Sequence, residues 1–90
     1  MYQLNIKKSV LRQIDALPGN YRQRVRGLIA NLANNPRPQN AKLLRKKRAI
    51  YRIALDYYRI VYRIEDDILV VEMLKVGLKH GPEFYQDVDE

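Results

Sequence analysis

Tyr2, Leu4 and Ile6 alternate with Gln3, Asn5 and Lys7, the period-two pattern of a strand with one apolar face. Ser9 is placed to cap a helix in which Val10, Leu11, Ile14 and Leu17 mark one face. Pro18-Gly19 ends that segment. Asn20 is placed as a second cap, and Tyr21, Val25, Leu28, Ile29 and Leu32 form another helical stripe that stops at Asn34-Asn35-Pro36-Arg37-Pro38. Gly27 sits inside this stripe, at a cost of about 1 kcal/mol relative to alanine unless something packs closely there. The short link between the two helices predicts an antiparallel hairpin.

From residue 49 the period returns to two. Tyr51, Ile53 and Leu55 alternate with Ile50, Arg52 and Ala54. After a break at Asp56-Tyr57, Tyr58, Ile60, Tyr62 and Ile64 alternate with Arg59, Val61 and Arg63. Glu65-Asp66-Asp67 reads as a second turn. Ile68 to Val76, mostly apolar and ending at Gly77, reads as an interior strand covered on both faces. Short turns make the last three strands an antiparallel meander, and the first strand is expected to join their sheet. The predicted fold is α+β, β-α-α-β-β-β: one mainly antiparallel four-stranded sheet with a helical hairpin on one face. Residues 1–90 are expected to form a single domain, with no internal repeat.

This order places charge. If Tyr51, Ile53, Leu55, Tyr58, Ile60 and Tyr62 face the helices, Arg52, Arg59 and Arg63 emerge together on the open face. Cross-strand neighbours lie about 5 Å apart, so like charges there repel unless an anion lies between them. The run Arg45-Lys46-Lys47-Arg48 adds four consecutive cations beside that face, a candidate nucleic-acid-binding segment. Arg63 and Lys75 read as sheet-surface charges.

The net charge of +7 is unevenly spread: residues 1–63 carry fifteen Lys/Arg against Asp15 and Asp56, and residues 64–90 carry Lys75 and Lys79 against eight acids. Such a basic excess favours phosphate backbones through counterion release. The acidic tail (Glu83, Asp87, Asp89, Glu90) reads as a solvated end or a screen. Apolar residues at 47% and charged residues at 30% exclude wholesale disorder. The longest apolar run, Ile68 to Val71, is far short of the roughly 20 residues that cross a bilayer. With no secretory pattern at the N-terminus, a cytoplasmic location without a membrane partner is expected.

The inventory narrows the chemistry. There is no cysteine and one histidine, His80, so thiol nucleophiles, thiolate zinc sites and His-rich metal sites are not available. The scattered glycines form no phosphate loop. No metal or organic cofactor is called for, and catalysis falls to Arg, Lys, Tyr and His80. Cleavage of RNA by its own 2′-hydroxyl suits that set, because the protein need only orient the backbone, move protons and stabilise the phosphorane.

The sequence resembles the RelE/ParE superfamily of type II toxin–antitoxin toxins. The likeness runs through the opening strand, Leu17-Pro18, Leu32 to Pro38 ahead of Lys42-Leu43-Leu44, Tyr51-Arg52-Ile53, Tyr58-Arg59-Ile60-Val61-Tyr62, Val76-Gly77 and Tyr85. It implies the fold just described. Its RelE branch implies an endoribonuclease that cuts mRNA in the ribosomal A site and is restrained by a cognate RelB-like antitoxin, the complex also contacting operator DNA. Carried over by position, Arg59 and Lys79 would hold and stabilise the scissile phosphate. Tyr85 would stack on or deprotonate the nucleotide, and Arg52 would assist with charge or proton transfer. Family members often carry a second basic residue two positions after the first, where this chain has Ala54. Arginine stays protonated and is a poor base, so the base falls to Tyr85, to Lys46 or Lys47, or to His80, a segment where several relatives use a histidine. Two alternatives stand beside this reading: a ParE-like inhibitor of DNA gyrase, which Ala54 favours, and a catalytically decayed toxin kept for antitoxin and operator binding.

Overall fold

The computed structural model describes residues 1–44 and 47–88. The elements run β1 (Gln3–Ile6), α1 (Lys8–Asp15), α2 (Gly19–Leu32), β2 (Ala41–Leu43), β3 (Ile50–Leu55), β4 (Tyr58–Glu65) and β5 (Val70–Leu78), followed by a 3-10 turn over Pro82–Tyr85. The sheet has five strands in the order β1-β5-β4-β3-β2. β1 lies parallel to β5 and the remaining pairs are antiparallel. The sheet therefore has one strand more than expected. β2 is only three residues long, too short to show alternation, and it exists because Ala41 and Leu43 pair with Ile53 and Tyr51 at the edge.

Both helices start earlier than the predicted caps. Lys7 and Pro18 hold the N-cap positions without a side-chain cap, so Ser9 and Asn20 lie within the first turns. The Pro18 carbonyl accepts from the Arg22 amide at 2.8 Å, so Pro18-Gly19 opens α2 rather than closing α1. Val10 and Ile14 are buried, whereas Leu11 is exposed, one helical step of about 100° round from Val10. The β4–β5 connection occupies Asp66 to Leu69, with Leu69 at φ 55°. Ile68 and Leu69 are consequently exposed turn residues and the strand begins at Val70.

Register fixes the two faces of the sheet. Ile53, Ile60 and Val76 align across β3, β4 and β5, as do Tyr51, Tyr62 and Met73. These side chains form the main core with Val10, Ile14, Val25, Ile29 and Leu32 from the helices. On the opposite face Ile50 and Val61 pack under Phe84 and Val88, with Leu44, Leu74 and Tyr85 around them. A bulge between Val61 and Tyr62 pairs Val61 with Lys75 and Tyr62 with Met73. That leaves Leu74 as the extra residue, in the second cluster. The chain after β5 thus folds back over the sheet, burying Phe84 and Val88 where a solvated end was expected, while Glu83 and Asp87 stay exposed; Asp89 and Glu90 lie outside the described residues. Among the described residues no helix is long and apolar enough to cross a membrane.

Candidate nucleic-acid interface

β3, β4 and β5 set Ala54, Arg59 and Gly77 side by side on the face away from the helices, and one pair further along set Arg52, Val61 and Lys75. Arg52 and Arg59 are therefore diagonal neighbours on one face. Lys42 of β2 lies directly opposite Arg52, placing a third cation in the row. Sequence reading missed Lys42 because β2 shows no period. Arg52 is half-buried, and no hydrogen bond or ion pair engages its side chain among the described residues.

The Arg59 guanidinium is anchored to the β3–β4 hairpin. Its Nη1 donates to the carbonyl oxygens of Asp56 at 2.8 Å and Tyr58 at 2.9 Å, without a carboxylate partner. Glu72 instead pairs with Arg63 at 3.0 Å and Lys7 at 3.8 Å. The hairpin is a two-residue turn with Asp56 at φ 54°, and its Tyr57 carbonyl accepts from the Lys79 amide at 2.9 Å. Backbone and side-chain bonds thus tie Arg59 and Lys79 to the same turn. The Lys79 ammonium stands 5.6 Å from the centre of the Tyr85 ring, a cation–π contact. Phe84 meets Tyr85 edge-on at 5.3 Å.

Two polar atoms of this face are buried without a partner: Arg59 Nε and the Tyr85 hydroxyl. Buried polar atoms of this kind are nearly always satisfied by protein or water, so a ligand on this face would reach them only after the covering side chains shift. The structure therefore brings Arg52, Arg59, Lys79 and Tyr85 onto one face. His80 is exposed and has no hydrogen bond to these residues among the described contacts. Arg45 and Lys46 lie outside the described residues. Lys47 turns inward and donates to the Val88 carbonyl at 3.1 Å. Arg48 lines a shallow recess with Arg63, Glu65 and Asp66, so Lys47 and Arg48 do not act as one solvated cationic stretch. Lys75 is not a surface charge: its side chain is 21% exposed and its donors are used on the C-terminal segment. A lysine inside the apolar run of β5 was the signal for it. Among the described residues, no three His, Cys, Asp or Glu side chains gather as a metal-binding group.

A mixed sheet backed by a helical hairpin is the fold this chain shares with solved RelE toxins. Residues 4–80 match the family model of the ParE toxin of the type II toxin–antitoxin system parDE, and the chain belongs to that family. It is similar to a mutant of the E. coli toxin RelE in the free state (TM-score 0.80, 27% identity, covering 97% of this chain and 93% of that one). It is also similar to the toxin in the intact E. coli RelBE toxin–antitoxin complex (TM-score 0.77, 26% identity, 90% and 100%). A third likeness is to an E. coli RelE mutant bound to an antitoxin RelB peptide (TM-score 0.76, 26% identity, 99% and 95%). No curated protein matched the chain in sequence. The protein is thus a toxin of the type II toxin–antitoxin class with a RelE-like fold.

Proposed function

We propose that the protein is a ribosome-dependent mRNA endonuclease acting in the A site through protein groups alone. The supporting observation is the placement of Arg52 and Arg59 as diagonal neighbours on one sheet face, with Lys79 tied to the same β3–β4 turn and set against the Tyr85 ring. In this reading the substrate's 2′-oxygen gives up its proton and attacks the adjacent phosphorus, the bond to the 5′-oxygen breaks, and the leaving oxygen takes a proton from water. The products are a 2′,3′-cyclic phosphate and a 5′-hydroxyl. Arg59 and Lys79 offset the charge that builds on the phosphorane. Tyr85 stacks on the nucleotide or accepts the 2′-hydroxyl proton, and Arg52 adds positive charge. The opening residues of the proposed groove keep like charges adjacent in the absence of substrate, a cost that a phosphate relieves.

The partner in the cell is a cognate antitoxin, as RelB is for E. coli RelE in the complex above. β1 is an edge strand, and beside it Leu4, Ile6, Leu11, Ile14 and Ile29 line an apolar cleft between strand and helices. An antitoxin strand or helix can use both. Through that complex the pair would also contact operator DNA.

Primer extension on mRNA from cells producing the protein tests the reading. Codon-phased cuts are expected, and Arg59→Ala should lower cleavage about 10²–10³-fold. Uncut mRNA with gyrase-linked DNA breaks would replace this reading with gyrase inhibition, which the ParE name of the matching family and the alanine at position 54 favour.

A further inference from the structure

We propose that Lys75 is a positioning residue for the cleavage reaction, holding the C-terminal segment so that Tyr85 is presented to the substrate; this rests on the function proposed above. Lys75 stands in the middle of an otherwise apolar strand segment, Leu74 to Val76, on the face away from the helices. A lysine sunk to this depth must use its N–H groups or lose the hydration it gave up. Among the described residues, all its partners lie in the four residues 84–87 around Tyr85. The ammonium donates to the Phe84 carbonyl at 2.7 Å and to an Asp87 carboxylate oxygen at 2.9 Å. It also lies 4.1 Å from the centre of the Phe84 ring.

These contacts bracket Tyr85 on both sides. Within the segment itself the backbone bonds are local: Phe84 to Gly81, Gln86 to Glu83 and Val88 to Tyr85. A single 3-10 turn of this kind does not hold its shape alone. Its ties to the sheet are the packing of Phe84, Val88 and Tyr85 in the Ile50–Val61 cluster, the Lys79 ammonium against the Tyr85 ring, the Lys47 bond to Val88, and Lys75. Among the described residues, only Lys75 fixes the backbone immediately before Tyr85, at the Phe84 carbonyl. Tyr85 has no side-chain hydrogen bond of its own in the described contacts, so the packing of its ring and the backbone that Lys75 holds set its position.

The test compares Lys75→Met, which keeps an unbranched apolar stem but removes the donors, with Lys75→Arg, which keeps a charged donor. Each is made in the full chain, with and without Tyr85→Ala, and assayed on ribosome-bound mRNA. Hydrogen exchange is followed in parallel at the amides of Gln86 and Val88. Lys75→Met is expected to speed exchange there about tenfold or more while the β4 amides keep their protection. Its kcat should fall about tenfold or more with little change in KM, the mark of a misplaced reacting group. Lys75→Arg should restore most of that rate. Adding Lys75→Met to Tyr85→Ala should cost nothing further, because both changes remove one unit. Unchanged exchange, or losses that multiply in the double variant, would overturn the positioning role alone. If the unaltered protein cuts no mRNA, the function proposed above falls, and the positioning role with it; exchange then reports only whether Lys75 anchors the segment.

Discussion

Phe84 covers Gly77 so closely that its Cε1 atom lies 3.3 Å from where a Cβ would stand. No glycine in the described chain has a positive φ, so the backbone at position 77 would accept any residue. What it cannot easily accept is bulk, because the ring anchoring the C-terminal segment occupies that space. The Val76-Gly77 pair and Tyr85 therefore belong to one device: the strand leaves a bare patch, Phe84 fills it, and Tyr85 follows next in the chain.

Gly77→Val should consequently displace the segment rather than unfold the domain. The extra carbons meet the Phe84 ring, and overpacking of this kind costs about 1–3 kcal/mol. Much of that cost can be relieved by lifting residues 82–88 off the sheet face on which they pack. Faster hydrogen exchange at Gln86 and Val88, with the far-ultraviolet circular dichroism retained, is the expected result. A variant as well protected there as the parent would show that the close approach is not what places Phe84.

Gly27 behaves in the opposite way. It lies within α2, and an added Cβ there would meet nothing within 4 Å. No close packing offsets its helical penalty, so Gly27→Ala should raise stability by about 1 kcal/mol. Urea unfolding measures this directly; an unchanged or lowered midpoint would contradict it.

Much of this architecture can be read from the residues themselves. Tyr51, Ile53 and Leu55 facing one way, and Arg52 facing the other, follow from period-two alternation, and the Asp56-Tyr57 turn fixes the register that pairs Arg59 with Ala54. Those local rules place Arg52 and Arg59 on a common face. They do not reach features decided by distant contacts. β2 is a strand only because β3 offers it an edge. The tail looks solvated by composition, with Asp87 among its acids, yet Asp87 pairs with Lys75 at 2.9 Å and Val88 is buried. A few apolar residues spaced irregularly in an acidic stretch carry no periodic signal, so the cover over the second face is legible only once that face exists.

Asp66 gives the fold an acid-sensitive latch. The Arg37 guanidinium donates to both of its carboxylate oxygens, at 3.2 and 2.7 Å, and the Tyr2 hydroxyl donates at 2.6 Å. Bonding to Arg37 first, and to Tyr2 second, holds the carboxyl down at about 2. A group with a depressed folded-state pKa stabilises the fold above its ordinary value, and that contribution is lost as pH falls through the folded value. The native pair should therefore weaken from about pH 4 to about pH 2. Asp66→Asn removes this dependence: its urea midpoint should start below the parent's at neutral pH and converge with it in that window. Parallel midpoints across the whole range would show that the exposed pair contributes nothing.

Ala54 is the position where the resemblance to RelE-type nucleases breaks, and the register shows what a lysine would do there. Ala54 pairs directly with Arg59 in the sheet and is exposed, and Arg52 lies two residues before it on the same face. An Ala54→Lys ammonium would stand beside two guanidinium groups, which disfavour its charged form and push its pKa downward. Lysine can then serve as a general base where arginine cannot. The substitution should cost no more than about 1 kcal/mol from like-charge repulsion across the strands. In return, mRNA cleavage should rise about tenfold or more, with a rate that climbs as the new amine deprotonates. The measurement is the pH–rate profile of cleavage on stalled ribosomes, parent against variant. Identical profiles would mean that a lysine at this position does not act as the base.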